Sequence, residues 1–199
     1  MQDVGKFGIS KMNRRSFLLS TMTAGLIGAP ALAQGTKPAA PETDLLAPRI
    51  VRIRNVEPGE VHVVAKEFAL YWTLPEGKAI RYPVAIGRDG LYDSGVFRID
   101  VKKEWPSWRP TDEMIARQPH LYKKYEDGMP GGPNNPLGAR ALYLFTFGGA
   151  DSMLRIHGTN DLASIGQRAS NGCVRMVNSH VIHLYEQVPL GSRAVLHPV

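Results

Sequence analysis

Apolar and polar residues alternate in short runs along the first half of the chain. The runs are Ile50-Val51-Arg52-Ile53, Val61-His62-Val63-Val64, Phe68 to Leu74 and Ile80 to Ile86. A period of two marks half-buried strands. Glu57-Pro58-Gly59-Glu60 and Pro75-Glu76-Gly77-Lys78 supply turn residues between them, so an antiparallel meander is predicted. Further strand-like runs are Gly95 to Ile99, Ala141 to Phe147, Met153 to Ile156 and Arg193 to His197. The third of these ends on His157. One helix is clear, from Asn178 to about Val188, with Val181, Ile182, Leu184, Tyr185 and Val188 on its apolar face. Asn178 suits its N-cap, and Pro189-Leu190-Gly191 stops it.

Residues 102–137 break the pattern. Besides Trp105 and Trp108 they carry Pro106, Pro110, Pro119, Pro130, Pro133 and Pro136, too much proline for a regular sheet. Only Thr111 to Arg117 reads as a short helix, capped by Thr111 or Asp112. A long irregular insertion in a compact domain is often a binding loop or lid. Trp105 and Trp108 either stack on a ligand or anchor this loop.

The N-terminus reads as a targeting segment. Asn13-Arg14-Arg15-Ser16-Phe17-Leu18-Leu19 sets paired arginines ahead of an apolar run that ends near Ala29, too short for a membrane span. Ala31-Leu32-Ala33 has the small residues of a cleavage site. Residues 1–33 are therefore expected to be a twin-arginine type signal peptide, which carries a folded chain to the periplasm. Residues 34–48, rich in Ala, Pro, Thr and Lys, are expected to be a flexible leader, and 49–199 one domain without a stable membrane span.

The formal charge of +6 supports this division, because Lys6, Lys11, Arg14 and Arg15 against Asp3 place half of it in the signal. The remaining basic residues are scattered, with no basic run interleaved by aromatics, which argues against nucleic acid. His180 and His183 lie three apart on the predicted helix, yet no third ligand follows at metal spacing, so they read as solvated helix residues. No phosphate-binding glycine loop is present either. No metal and no cofactor is expected.

The chemistry centres on Cys173, the only cysteine. Structural cysteines of exported proteins come in pairs, so an unpaired thiol is either a buried small hydrophobe or a reactive group. A reactive thiol needs a base, and His157, followed by Gly158, is the best candidate. Backbone N–H groups at Asn171, Gly172 and Cys173 are positioned in sequence to face a developing oxyanion. Arg175 suits a substrate carboxylate, or alternatively pairs with a local one.

These residues carry a resemblance. His157-Gly158-Thr159-Asn160, Ser164-Ile165-Gly166 and Ser170-Asn171-Gly172-Cys173-Val174-Arg175-Met176 resemble the signature of L,D-transpeptidase catalytic domains of the YkuD-like family. The likeness extends through Tyr82 to Gly87, Glu104 to Trp108, Asn135 to Gly138 and Val181 to Tyr185. It implies a mainly β, sandwich-like fold of mixed strands, with a short helix before the cysteine and a clear one after it.

It also implies roles. Cys173 would be the nucleophile, His157 the base and the Gly158 carbonyl the group that orients the imidazole. Arg175, Thr159, Asn160 and Ser170 would hold substrate, and the 102–137 insertion would form part of the cleft. The reaction would release a terminal D-alanine from a peptidoglycan stem peptide and pass the acyl group to a diamino acid amine. A neighbouring stem, an outer-membrane protein or a lipoprotein would be the acceptor. Water as acceptor would make an L,D-carboxypeptidase, or an amidase of wall-to-protein crosslinks, and a non-catalytic wall-binding module would need an inert thiol. The chain departs from the family at Asn171, where histidine is usual.

Overall fold

The computed structural model describes residues 46–199, so the proposed signal and most of the leader lie outside the described residues. Ten strands and three α-helices follow in the order β1 (Arg49–Arg52), β2 (Val61–Val64), β3 (Ala69–Leu74), β4 (Lys78–Gly87), β5 (Gly95–Glu104), α1 (Asp112–Arg117), α2 (Pro119–Tyr122), β6 (Arg140–Phe145), β7 (Asp151–Thr159), β8 (Arg168–Ser170), β9 (Val174–Val177), α3 (Asn178–Gln187) and β10 (Arg193–His197). The chain is mainly β, with mixed strand directions, as expected.

The sheet runs β1-β4-β3-β2-β10-β5-β6-β7-β9, and β9 pairs back onto β4. That last pairing closes eight strands into a ring, which removes the open edges a sandwich would keep. Strands β2, β3 and β4 form the predicted meander. Strand β1 does not extend it in sequence order; it lies antiparallel on the other edge of β4, Arg49 opposite Arg81. Pro83 explains how one strand serves so many partners. It has no N–H to donate, and it sits where β4 passes from β1, last paired at Arg81, to β9, first paired at Val84.

The alternation noted in the sequence becomes burial. Val61, Val63, Leu70, Ile86, Ile99, Leu142, Leu144, Ile156, Val174 and Met176 are completely buried in one continuous core, and each such aliphatic side chain contributes about 1.5–3 kcal/mol. Helix α3 packs over β6, β7 and β9. It buries Val181 and Leu184, and Val188 beyond its end is buried as well. Lys102 closes the far end of the helix by donating to the carbonyls of Val188, at 2.8 Å, and Tyr185.

Several expectations need correcting. Asn178 is the first residue of α3, not its cap; Val177 holds the cap position without a side-chain bond, and the Asn178 amide oxygen instead accepts the Ala139 N–H at 2.9 Å. His180 is buried, with an unpartnered Nδ1. His183 is exposed yet bonded through Nδ1 to the Tyr82 hydroxyl at 2.8 Å, so neither is a freely solvated side chain. Thr111 does cap α1, accepting the Met114 N–H at 3.2 Å. The second short helix, α2, starts on Pro119, where proline is well suited.

Candidate active site

His157 does not end its strand. Strand β7 continues to Thr159, and β9 lies parallel to it with His157 opposite Arg175 and Ile156 opposite Val174. One step earlier in that register, Cys173 falls beside Arg155. Because strand side chains alternate, Ile156, Val174 and Met176 enter the core. Arg155, His157, Cys173 and Arg175 share the other face. Cys173, just ahead of β9, and His157 in β7 are thus diagonal neighbours, a relation that long or mobile side chains can span. No hydrogen bond joins them in this resting arrangement; the thiol's nearest acceptor is the Met153 carbonyl at 3.9 Å.

The imidazole is oriented by its own neighbour. Its Nδ1 bonds the Gly158 carbonyl at 2.5 Å, and a carbonyl can only accept, so Nδ1 carries the proton and Nε2 is left as the basic nitrogen. Only 4% of His157 is exposed. Burial is the main reason its pKa falls to about 4; the Arg175 and Arg155 charges push the same way, against the Gly158 and Leu137 backbone bonds. The ring is therefore neutral at neutral pH.

Cys173 stands in the bend before β9 and is part-exposed. Burial of its sulfur raises the thiol pKa, opposed by the Arg155 backbone N–H and by the charges of Arg155 and Arg175. Thiol and imidazole thus rest as a neutral pair. Arg155 carried no signal of its own in the sequence, although its spacing of two from His157 sets both on one face. It is held by two bonds to Asp151, at 2.7 and 2.8 Å, and lies over the Tyr143 ring at 4.0 Å.

The remaining predicted site residues divide. Ser170 is buried, and its hydroxyl donates to the Cys173 carbonyl at 2.5 Å while accepting the Gly172 N–H at 3.2 Å. Thr159 is also buried, its hydroxyl accepting the Asp161 N–H at 3.0 Å. Both hydroxyls are thus engaged in turns. Asn160 is exposed. Arg175 is part-exposed and 3.8 Å from Asp161, a loose pairing that leaves most of its donors free. The Gly172 N–H is engaged with Ser170; Gly172 itself adopts φ +124° with the Leu91 carbonyl 3.0 Å from where a Cβ would stand, so only glycine fits there.

Fold and geometry together define a closed β domain that presents a thiol, an oriented neutral imidazole and two arginines on one strand face. Residues 58–196 match the family model of the L,D-transpeptidase catalytic domain (YkuD), and the chain belongs to that family. It is 32% identical to a Fuscovulum blasticum protein named "Putative L,D-transpeptidase in ATP synthase subunits region ORF 5", over 92% of this chain and 96% of that one. A Brucella melitensis structure described as a "Probable carnitine operon oxidoreductase" is 45% identical, with a TM-score of 0.53 and coverage of 73% of this chain and 90% of that one. An L,D-transpeptidase from Mycobacterium smegmatis shares the fold at 17% identity and a TM-score of 0.51, covering 70% of this chain and 59% of that one. Family membership makes this chain a transpeptidase.

Proposed function

We propose that the chain crosslinks peptidoglycan through an acyl-enzyme on Cys173. The observation that carries this reading is the bond from His157 Nδ1 to the Gly158 carbonyl, which places the ring's proton on Nδ1 and leaves Nε2 unprotonated to act as base. In the first half-reaction Nε2 takes the thiol proton as sulfur attacks the carbonyl after an L-centre of a stem peptide. The C–N bond to the terminal D-alanine breaks, and that amine leaves with the proton from the imidazolium. In the second, a diamino acid side-chain amine attacks the thioester, its proton passes to Nε2, and sulfur leaves as the thiolate that the imidazolium reprotonates. Each step is balanced without a cofactor.

Gly158 serves through its carbonyl, the role an acidic residue fills in other triads. Arg175 holds a substrate carboxylate, and Asn160 stands open at the end of β7 to contact the stem. The oxyanion is met by backbone N–H groups of Asn171 to Cys173; Gly172 would exchange its bond to Ser170 for one to the oxyanion. The paired arginines and small residues of the N-terminus support export to the periplasm, where wall stems, or an outer-membrane protein or lipoprotein, provide the acceptor amine.

Purified protein incubated with tetrapeptide muropeptides tests the proposal by mass spectrometry. Crosslinked dimers and free D-alanine are expected from the wild type and neither from Cys173→Ala. Tripeptides alone would make the enzyme an L,D-carboxypeptidase, and no Cys173-dependent product would overturn the reading.

A further inference from the structure

Asn171, two residues before Cys173, joins three separate parts of the molecule. Its amide oxygen accepts from Arg88, in the turn after β4. Its amide nitrogen donates to the Tyr122 hydroxyl at 2.9 Å, at the end of α2. Arg88 adds two more ties: its backbone N–H donates to the Ser170 carbonyl at 3.0 Å, and its guanidinium reaches Gln118, the residue before α2, at 3.5 Å. The residue two positions before Cys173 is therefore bonded to the middle of the insertion.

The rest of the insertion has little else to hold it there. From Thr111 to Asn134 no residue is buried, and neither α1 nor α2 buries a side chain. Tyr122 packs edge-on against Trp108, with ring centroids 6.3 Å apart, which ties the insertion to itself and not to the barrel. With so little apolar contact, a few polar bonds set the balance between a docked and an undocked segment.

We infer that Asn171 is a latch: by bonding Tyr122 and Arg88 it docks the insertion against the turn that carries Cys173, and so acts as a positioning residue for the peptide substrate. This rests on the crosslinking reading for its kinetic consequence, but the latch itself does not depend on turnover. If only the docked form binds the donor stem, undocking lowers the competent fraction and raises KM, without altering the chemistry once the stem is bound.

Tyr122→Phe removes one hydroxyl and keeps the ring on Trp108. A net hydrogen bond changes an equilibrium by about two- to tenfold, so the docking equilibrium should shift by that factor and KM for a tetrapeptide donor should rise by up to as much, with kcat and the unfolding midpoint unchanged. Trypsin should cut faster at Arg117, Lys123 and Lys124, which are exposed. In an Asn171→Ala background the Tyr122 substitution should add nothing further, because the bond is already gone. Unchanged trypsin cleavage, or additive effects in the double variant, would overturn the latch whether or not the protein turns over. An unchanged KM, or a kcat that falls together with the unfolding midpoint, would overturn its positioning role. A wild type that makes no Cys173-dependent product would instead sink the crosslinking reading and leave the trypsin result to decide the latch.

Discussion

The Asn178 side-chain oxygen lies 2.1 Å from the point where a Cβ on Gly158 would stand. The first residue of α3 is thus seated directly on the residue whose carbonyl orients His157, and the same oxygen takes the Ala139 N–H. Helix, barrel and imidazole are fixed at one point, and that point tolerates no side chain.

Gly158→Ala should therefore destabilise the fold by about 1–3 kcal/mol, the usual cost of overpacking. Activity should fall further than stability alone explains, because the carbonyl bonded to Nδ1 must shift with the backbone. Urea unfolding read beside kcat measures both. Shortening the opposing group in Gly158→Ala/Asn178→Ala should recover part of the stability, whereas a single variant as stable as wild type would show that the contact yields freely.

Cys173→Ala should leave the fold intact, since the residue is part-exposed and its thiol makes a long 3.9 Å contact with the Met153 carbonyl. Turnover should drop by a factor on the order of 10³ or more, as when a covalent nucleophile is removed. Iodoacetamide, checked by mass spectrometry, should add one equivalent to the wild type and none to the variant. A wild type that takes up no label at Cys173 would favour an inert thiol.

Much of this was legible in the chain because period-two alternation translates directly into burial: β2, β3 and β4 lie where Val61, Leu70 and Ile86 point inward. The motif around Cys173 likewise carried the family, which the match over residues 58–196 shows. Strand β9 was not legible. Val174 to Val177 is too short to show a period, and it is a strand because β4 and β7 flank it on both sides. The turn bonds of Ser170 and Thr159 were not legible for a related reason, since a hydroxyl beside a reactive residue looks the same in sequence whether it faces a ligand or closes a turn. The tie from Asn171 to Tyr122 spans 49 positions and follows no local pattern.

Ser170→Ala tests the turn itself. The hydroxyl accepts from Gly172 and donates to the Cys173 carbonyl, and its loss leaves a buried N–H unsatisfied at a cost of about 1–3 kcal/mol. A decline in kcat of at least about tenfold is expected, because the nucleophile and the oxyanion donors belong to this turn. Equal kcat with lowered stability would confine the hydroxyl to folding.

The strongest pH effect should come from His157, whose pKa is held down to about 4 by burial from an ordinary 6.5. Between these values the unfolded chain binds a proton at this site and the folded protein does not. Stability therefore rises with pH across that window and is lost as the solution is acidified, by about 1.4 kcal/mol per pH unit from this group. His62 and His180, also lowered mainly by burial, act in the same direction. Comparing wild type with His157→Gln isolates the His157 share: the variant should lose less stability between pH 6.5 and 4. In the active enzyme the same neutral imidazole keeps its base form well into mild acid, so the acid limb of kcat/KM should lie below pH 6.5. An acid limb at or above 6.5, together with identical pH–stability slopes for the two proteins, would mean that the buried ring titrates as it does in water.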